Sequence, residues 1–152
     1  MGFCEKNGAA DPLEVLVVED NPADAMLMKR ILREGAVPHH LTIVPDGVEA
    51  MRYLRQEGPY RGAKTPHLVL LDLNLPRKSG FEVLADIKAD PELKIIPVIV
   101  LTSSGSAQDI AKSYALGANS YLRKAASLEA SFDLFNSIQH FWMNLAALPT
   151  PP

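Results

Sequence analysis

Cysteine is almost absent from this chain: Cys4 is the single one among 152 residues. An internal disulfide is therefore excluded, a zinc site cannot rest on cysteines, and a reducing compartment, the cytoplasm, is expected. No apolar run approaches the roughly 18 residues of a membrane span, so no membrane contact is expected. The formal net charge of −3 provides no basic field that would favour nucleic acid.

What the chain does contain is a regular alternation of short apolar runs with helical patterns. The runs at 13–18, 68–71 and 98–101 are almost all Val, Leu and Ile, which is typical of parallel strands buried on both faces. Two further strand candidates are 41–44 and 120–122. One helical crossover after each strand predicts an α/β fold, a doubly wound sheet of five parallel strands.

Helix signals follow the strands. Caps that start the helices are expected at Asn21 (followed by Pro22), Asp46, Ser79, Ser106 and Ser127. Glycines that should stop helices are Gly35, Gly58 and Gly117. One domain is expected at 13–146, after a flexible segment at 1–12. A proline-rich tail at 147–152 should be extended and lie outside the core.

Polar side chains stand where the predicted strands end. They are Glu19 and Asp20, Asp72, Thr102 and Lys124. In a doubly wound sheet these strand ends share one rim, so the side chains should converge. Three neighbouring carboxylates repel one another, so some must be protonated or a cation must neutralise them. Hard oxygen ligands favour Mg²⁺ as that cation. Asp72 then reads as a nucleophile for a phosphoryl group, although a single strand-end aspartate is more often a helix cap or a surface residue.

Four segments together resemble the receiver domains of two-component response regulators, over about residues 13–143. The segments are "VVEDNPAD" (17–24), "LLDLNLPRKSGFEVL" (70–84), "PVIVLTSSG" (97–105) and "LGANSYLRK" (116–124). The resemblance implies a flavodoxin-like (βα)5 fold with strand order 2-1-3-4-5. It also implies a signalling switch, not an enzyme, that takes phosphate from a sensor histidine kinase and assists its own dephosphorylation.

The same resemblance assigns roles at the metal site. Asp72 is the phosphoacceptor and a ligand of Mg²⁺. Asp20 binds the metal directly, and Glu19 does so directly or through water. Asn74 offers its backbone carbonyl as a further ligand. Glu19 departs from the family, because many receivers have aspartate there, and its longer side chain could shift the coordination.

Further roles concern the phosphorylated state. Thr102 is expected to hydrogen-bond the phosphoryl group and Lys124 to form an ion pair with it. Tyr121 matches the aromatic residue that turns inward as Thr102 moves, a two-state element; the alternative is an ordinary strand aromatic. Ala125 stands where most receivers have proline, often after a cis peptide bond, so a trans bond and an altered partner surface are expected here.

A narrower resemblance is to the single-domain response regulators that accompany cyanobacterial and bacterial phytochromes. It rests on the segments at 46–60, 70–102 and 141–149. The kinase would then be light-regulated, with a phytochrome as the candidate. No fused DNA-binding domain follows residue 146, so the output should pass through another protein or a phosphate relay.

The last helix, expected at 127–146, has two apolar stripes. The stripe expected to pack on the sheet is Leu128, Phe132, Phe135 and Ile138. The stripe proposed as a homodimer interface is Leu134, Ile138, Phe141 and Leu145, with Trp142 beside it.

Three other functions fit parts of the pattern. A haloacid-dehalogenase-like phosphatase also uses a strand-end aspartate and Mg²⁺, but Asn74 stands where such enzymes carry a general acid. A flavodoxin-like cofactor carrier would need a glycine-rich phosphate loop after the first strand, and none is there. A degenerate receiver that only binds proteins remains open because of Ala125.

Overall fold

The computed structural model describes residues 11–151. The strands are β1 (Leu13–Val18), β2 (His39–Val44), β3 (Leu68–Leu71), β4 (Val98–Thr102) and β5 (Ser120–Arg123). The helices are α1 (Pro22–Arg33), α2 (Gly47–Leu54), α3 (Gly80–Ala89), α4 (Ala107–Ala115) and α5 (Leu128–Ile138). A 3-10 turn at Gly58–Tyr60 follows α2, and a π-helical segment at Gln139–Leu145 continues α5.

The five strands form one parallel sheet in the order β2-β1-β3-β4-β5, which confirms the predicted fold. Alternate residues of a strand point to opposite faces, so the three central strands contribute to two cores. Helices α2 and α3 cover one face, and α1 and α5 cover the other. The three central strands are therefore buried on both faces, as their apolar sequences predicted.

Each α-helix begins at its predicted cap. Side chains of Asn21, Asp46, Ser79, Ser106 and Ser127 accept hydrogen bonds from backbone N–H groups of the first turn. These bonds satisfy donors that the helix itself leaves unpaired.

One of the predicted helix stops is wrong. Helix α2 ends at Leu54, and Gly58 opens the 3-10 turn instead of ending the helix. The chain reverses earlier because Gln56 takes a left-handed conformation with φ of 57°. The N–H of Glu57 then donates to the carbonyl of Arg52 at 2.9 Å.

The carboxyl-terminal helix packs differently from the prediction. Leu128 and Phe132 are exposed, so they do not pack on the sheet as expected. Ile138 is 2% exposed and belongs to the core, so it is not an interface residue. The buried contacts are Phe135, Ile138 and Met143. The five-residue step to Met143 follows the wider turn of the π-helical segment, which the sequence periodicity did not predict.

The two ends of the chain bear on the predicted domain limits. Leu148 packs against the core, so the tail expected to lie outside the core contributes to it. Most of the amino-terminal segment predicted to be flexible, residues 1–10, lies outside the described residues. Within residues 11–151 no helix has the length and apolar character needed to cross a membrane.

Candidate functional site

The acidic residues meet because of the strand register. Val18 of β1 lies opposite Leu71 of β3, so the residues that follow them, Glu19 and Asp72, are neighbours. The N–H of Asp72 donates to the carbonyl of Val18 at 3.1 Å. Carboxylate oxygens of Glu19, Asp20 and Asp72 all lie within 4.8 Å of one another, with Asp20 the exposed member of the three. The predicted convergence is thus present.

Lys124 reaches the same acids from the end of β5. Its Nζ lies 2.8 Å from Glu19 Oε1 and 2.9 Å from Asp72 Oδ2. A third carboxylate, Asp24 Oδ2 in the first turn of α1, lies 3.1 Å away. Asp24 was not among the residues predicted for the site. Its position in the first turn of α1, close behind the strand end that carries Glu19 and Asp20, was the signal that could have placed it at this rim.

The charges in the site shift the pKa values of its buried groups. Burial raises the pKa of Glu19 above its ordinary value, although hydrogen bonds from Lys124 and from the Asn21 backbone act against it. Burial alone would lower the pKa of Lys124, but its hydrogen bonds with Glu19 and Asp72 outweigh that effect and raise it. Lys124 therefore remains a cation at neutral pH.

The donor set fits a hard divalent cation. Glu19, Asp20, Asp24 and Asp72 carry four negative charges against the one positive charge of Lys124, which leaves a net charge of −3 (−4 + 1). Two of these acids, Glu19 and Asp72, are buried. Carboxylate oxygens are the ligands that Mg²⁺ prefers, and the exposed Asp20 leaves one side open to the water ligands that Mg²⁺ retains.

Asn74, expected to offer its carbonyl to the metal, lies in the loop after β3. Its N–H donates to Asp72 Oδ1 at 3.2 Å, so this loop already orients the Asp72 carboxylate. Asn74 as a whole is exposed.

Thr102 ends β4, the strand next to β3 and β5. It is fully buried, and within residues 11–151 its Oγ1 is the one buried side-chain atom with no hydrogen-bond partner. The N–H of Lys124 donates to the Thr102 carbonyl at 2.8 Å, which holds the two residues together. An unpaired buried hydroxyl is costly, and a bound anion would satisfy it.

Tyr121 is half-buried and touches the loop that follows Thr102. Its hydroxyl donates to the Ser104 carbonyl at 2.8 Å. Its N–H donates to the hydroxyl of Tyr114 at 3.1 Å. The aromatic residue predicted as a switch is therefore bonded to the β4–α4 loop.

The peptide bond before Ala125 is trans, as predicted, since the described part of the chain has no cis bond. Beside Lys124 and Ala125 lies a cleft of about 400 Å³. Its walls include Asp24, Lys124 and the apolar side chain of Phe135. The cleft gives solvent and small molecules a route to Lys124.

These features together define a receiver of phosphoryl groups built on a doubly wound sheet. Residues 15–135 match the family model described as the response regulator receiver domain, and the chain belongs to that family. It is a response regulator of two-component signalling, and Mg²⁺ is the cofactor of the acidic pocket.

Among its relatives is the response regulator Rcp1 of Synechocystis sp., 45% identical over 138 residues, which cover 91% of this chain and 94% of the relative. A probable methanogenesis regulatory protein, FilR2 of Methanothrix harundinacea, is 40% identical over 94% of this chain and 92% of its own. The solved structures include the Mn²⁺-bound form of Rcp1, with a TM-score of 0.89, 91% of this chain covered and 100% of that one.

The phosphorylated cyanobacterial phytochrome response regulator RcpA is 49% identical, with a TM-score of 0.89, 92% of this chain covered and 100% of that one. The resemblance to phytochrome response regulators is thus confirmed. The family match does not favour the phosphatase or the cofactor carrier as alternatives.

Proposed function

We propose that Asp72 accepts a phosphoryl group from the histidine of a sensor kinase and that the chain acts as a phosphorylation-controlled interaction or relay switch. The observation that carries this proposal is the contact of Lys124 with both Asp72 and Glu19, at 2.9 and 2.8 Å. In the transfer an Asp72 carboxylate oxygen attacks phosphorus, the P–N bond breaks, and its electron pair stays on the imidazole nitrogen.

The residues that would hold Mg²⁺ are Glu19, Asp20 and Asp72, with the carbonyl of Asn74. The cation supplies neutralisation of the phosphoryl oxygens' charge when bound. The chain itself orients the Asp72 carboxylate through Lys124 Nζ and the Asn74 N–H. Lys124 can follow the negative charge from the carboxylate to the phosphoryl group without leaving the site.

Thr102 and Tyr121 form the switch in this proposal. The unpaired Thr102 Oγ1 gains a partner when a phosphoryl oxygen arrives. Any movement of Thr102 pulls on the following loop, whose Ser104 carbonyl holds the Tyr121 hydroxyl. Phosphorylation thereby changes the surface formed by β5 and the β4–α4 loop.

The chain works in the cytoplasm, and its phosphodonor is a sensor histidine kinase. A phytochrome is the candidate because RcpA is described as a phytochrome response regulator. The chain is a phosphate acceptor rather than an enzyme with a substrate of its own. It assists its own dephosphorylation through the same acidic site.

The chain forms a homodimer through the carboxyl-terminal helix. Phe141 and Leu145 are 52% and 44% exposed, and the neighbouring Trp142 and Leu134 are half-buried. Phe141 and Trp142 already pack edge to face, with ring centroids 5.2 Å apart, so they present one continuous apolar surface. Covering that surface with a second copy removes it from water.

Intact mass after incubation with Mg²⁺ and a small phosphodonor tests the phosphoacceptor. We expect one added phosphoryl group, absent from Asp72→Asn and retained by Asp133→Asn, which changes an exposed acid on α5. No added mass on the unmodified protein, with either a small donor or a phosphorylated kinase, would favour the degenerate receiver.

A further inference from the structure

The loop between β3 and α3 contains a strained turn centred on Arg77. The N–H of Lys78 donates to the carbonyl of Pro76 at 2.7 Å, which closes a three-residue turn. Arg77, at its centre, has φ of +67°, a conformation that residues other than glycine rarely adopt. Such a conformation persists only where surrounding contacts hold it.

One of those contacts joins the turn to the start of α2. Arg77 Nη1 lies 3.2 Å from Asp46 Oδ2. Asp46 is 6% exposed and is the cap of α2, its other oxygen accepting from the N–H of Glu49 at 2.8 Å. Within residues 11–151 Arg77 is the one cation in contact with this buried carboxylate, which is costly to leave without a partner.

The loop and the helix also touch through their backbones. A Cβ on Gly47, the first residue of α2, would collide with the carbonyl of Lys78. Glu49, one turn into the same helix, lies 3.8 Å from Arg77 and is itself fixed by Arg52 at 3.2 Å and by the Tyr60 hydroxyl at 2.7 Å. These contacts restrict movement at the start of α2, against which the turn packs.

Only Leu75 and Pro76 separate Arg77 from Asn74. The ring of Pro76 restricts its own φ, and the N–H of Leu75 donates to the Leu73 carbonyl at 3.2 Å. The segment between Arg77 and the Asp72–Asn74 contact has little freedom of its own. A shift at Arg77 should consequently reach the groups proposed to face the metal.

We propose that Arg77 is a positioning residue: its ion pair with Asp46 holds the β3–α3 loop in the form that presents Asn74 and Asp72 to Mg²⁺. This rests on the proposed function of those two residues. Arg77 acts through the loop and touches neither the metal ligands nor the phosphoryl group.

Calorimetric titration with Mg²⁺ separates this role from a direct effect of charge. Loss of a cation near an acidic pocket should tighten Mg²⁺ binding by electrostatics alone. Loss of the Arg77–Asp46 ion pair should weaken Mg²⁺ binding. For Arg77→Ala we expect an affinity lower by about tenfold, the small end of the range for residues that orient metal ligands. Lys78→Ala is the matched control, because it removes the same charge from the neighbouring position and leaves Asp46 untouched; its Mg²⁺ affinity should be unchanged or slightly higher.

Three further variants test whether the Arg77–Asp46 ion pair is the contact responsible. Asp46→Asn keeps the oxygen that caps α2 and loses the charge that holds Arg77, so it should weaken Mg²⁺ binding as Arg77→Ala does. The double variant should be no weaker than either single one, because the two changes break the same contact. Arg77→Lys keeps a cation at the same strained position and should restore part of the affinity.

The metal-free protein provides an independent readout. Amide hydrogen exchange of Lys78, whose N–H closes the turn, should accelerate in Arg77→Ala and Asp46→Asn but not when a distant residue is changed. Equal Mg²⁺ affinity in Arg77→Ala and the unmodified protein, or tighter binding, would overturn the inference. A lower melting temperature with unchanged affinity would do the same, since it would mean a purely structural role.

Phosphorylation of the unmodified protein distinguishes the two proposals. If it takes up phosphate at Asp72 while Arg77→Ala binds Mg²⁺ normally, the positioning role fails and the proposed function stands. If it takes up none, the proposed function fails by itself.

Discussion

Thr102 lowers the stability of the unphosphorylated protein, and its hydroxyl is useful in the phosphorylated state. Its hydroxyl is buried without a partner in the part of the chain described. A buried polar group left unpaired costs about 1–3 kcal/mol. Selection for stability alone would place valine there. In the proposed switch the hydroxyl gains its hydrogen-bond partner only when a phosphoryl oxygen is present.

Thr102→Val should therefore stabilise the unphosphorylated protein and impair the phosphorylated one. We expect the free energy of unfolding to rise by about 1 kcal/mol, because the unpaired hydroxyl is removed from the core. Uptake of phosphate from a small donor should slow. Urea denaturation and the time course of intact mass measure the two effects.

Thr102→Ser is the control, since it keeps the hydroxyl and loses only a methyl group. It should take up phosphate at nearly the normal rate with a slightly lower stability. If Thr102→Val is less stable than the unmodified protein, the hydroxyl has a partner in solution and this explanation is wrong.

At the scale of secondary-structure elements, the end of α1 and the π-helical segment hold each other. Gln139 is buried, and its Nε2 donates to the carbonyl of Leu32 at 3.0 Å. That carbonyl lies in the last turn of α1 and also accepts from the Gly35 N–H at 3.1 Å, so Gln139 supplies it with a second donor. Gln139 thus caps one helix from another, and Gly35 leaves the space for its side chain.

Gly35→Ala should lower the free energy of unfolding by about 1–3 kcal/mol, because the new Cβ collides with the Gln139 side chain. Gln139→Ala should also destabilise, since it removes a buried hydrogen bond to the Leu32 carbonyl and leaves a cavity where the side chain packed. The double variant should lose less than the two single losses added together. Additive losses in urea denaturation would show that Gly35 and Gln139 do not share this contact.

A second pairing of elements depends on pH. The Nδ1 of His67, just before β3, accepts from the Glu14 N–H of β1 at 3.0 Å, and the His67 N–H donates to the Glu14 carbonyl at 2.8 Å. Burial lowers the pKa of His67 below its ordinary 6.5, although the charge of Glu14 acts in the opposite direction. The folded protein therefore binds this proton more weakly than the unfolded chain does.

It follows that His67 costs stability as the pH falls below 6.5. Thermal unfolding between pH 8 and pH 5 should show a steeper loss for the unmodified protein than for His67→Gln, in which no proton is taken up. At pH 8 His67 is neutral in both states, so the difference between the two proteins should then be independent of pH. Parallel curves across the whole range would contradict the lowered pKa of His67.

At the scale of the whole molecule, the last helix exposes several large apolar side chains to solvent. Leu128, Phe141 and Leu145 lie on one helical element, whereas Met26 is an isolated exposed side chain on α1. Isolated exposed apolar residues are ordinary, but several on one element favour an interface.

Phe141→Glu should convert the proposed dimer into a monomer, because a charge at the centre of an apolar interface cannot be paired there. Sedimentation velocity or size exclusion with light scattering measures the change. Met26→Glu is the matched control and should leave the dimer intact. A monomer in the unmodified protein, both before and after phosphorylation, would end the dimer proposal.

Much of the site could be read from the residues because parallel strands end at one edge. Glu19, Asp72, Thr102 and Lys124 each follow or end a strand that is recognisable by its apolar run. Once the strands are assigned, the register of a parallel sheet leaves these side chains little choice of position. Asp24 was not predicted as a site residue, because an acid in the first turn of a helix is already explained by its favourable interaction with the helix dipole.

Sequence by itself determined the alternation of elements, the helix starts, the five-stranded sheet and the rim of acids, because these follow from short-range patterns of apolar, capping and strand-end residues. Only the tertiary structure decided that Arg77 contacts Asp46, that Gln139 caps α1, and that the last helix buries Met143 while Leu128 and Phe132 stay exposed. Those contacts join residues that lie far apart in the chain, and side-chain direction at each position is set by what packs against it. A local pattern carries no information about that partner.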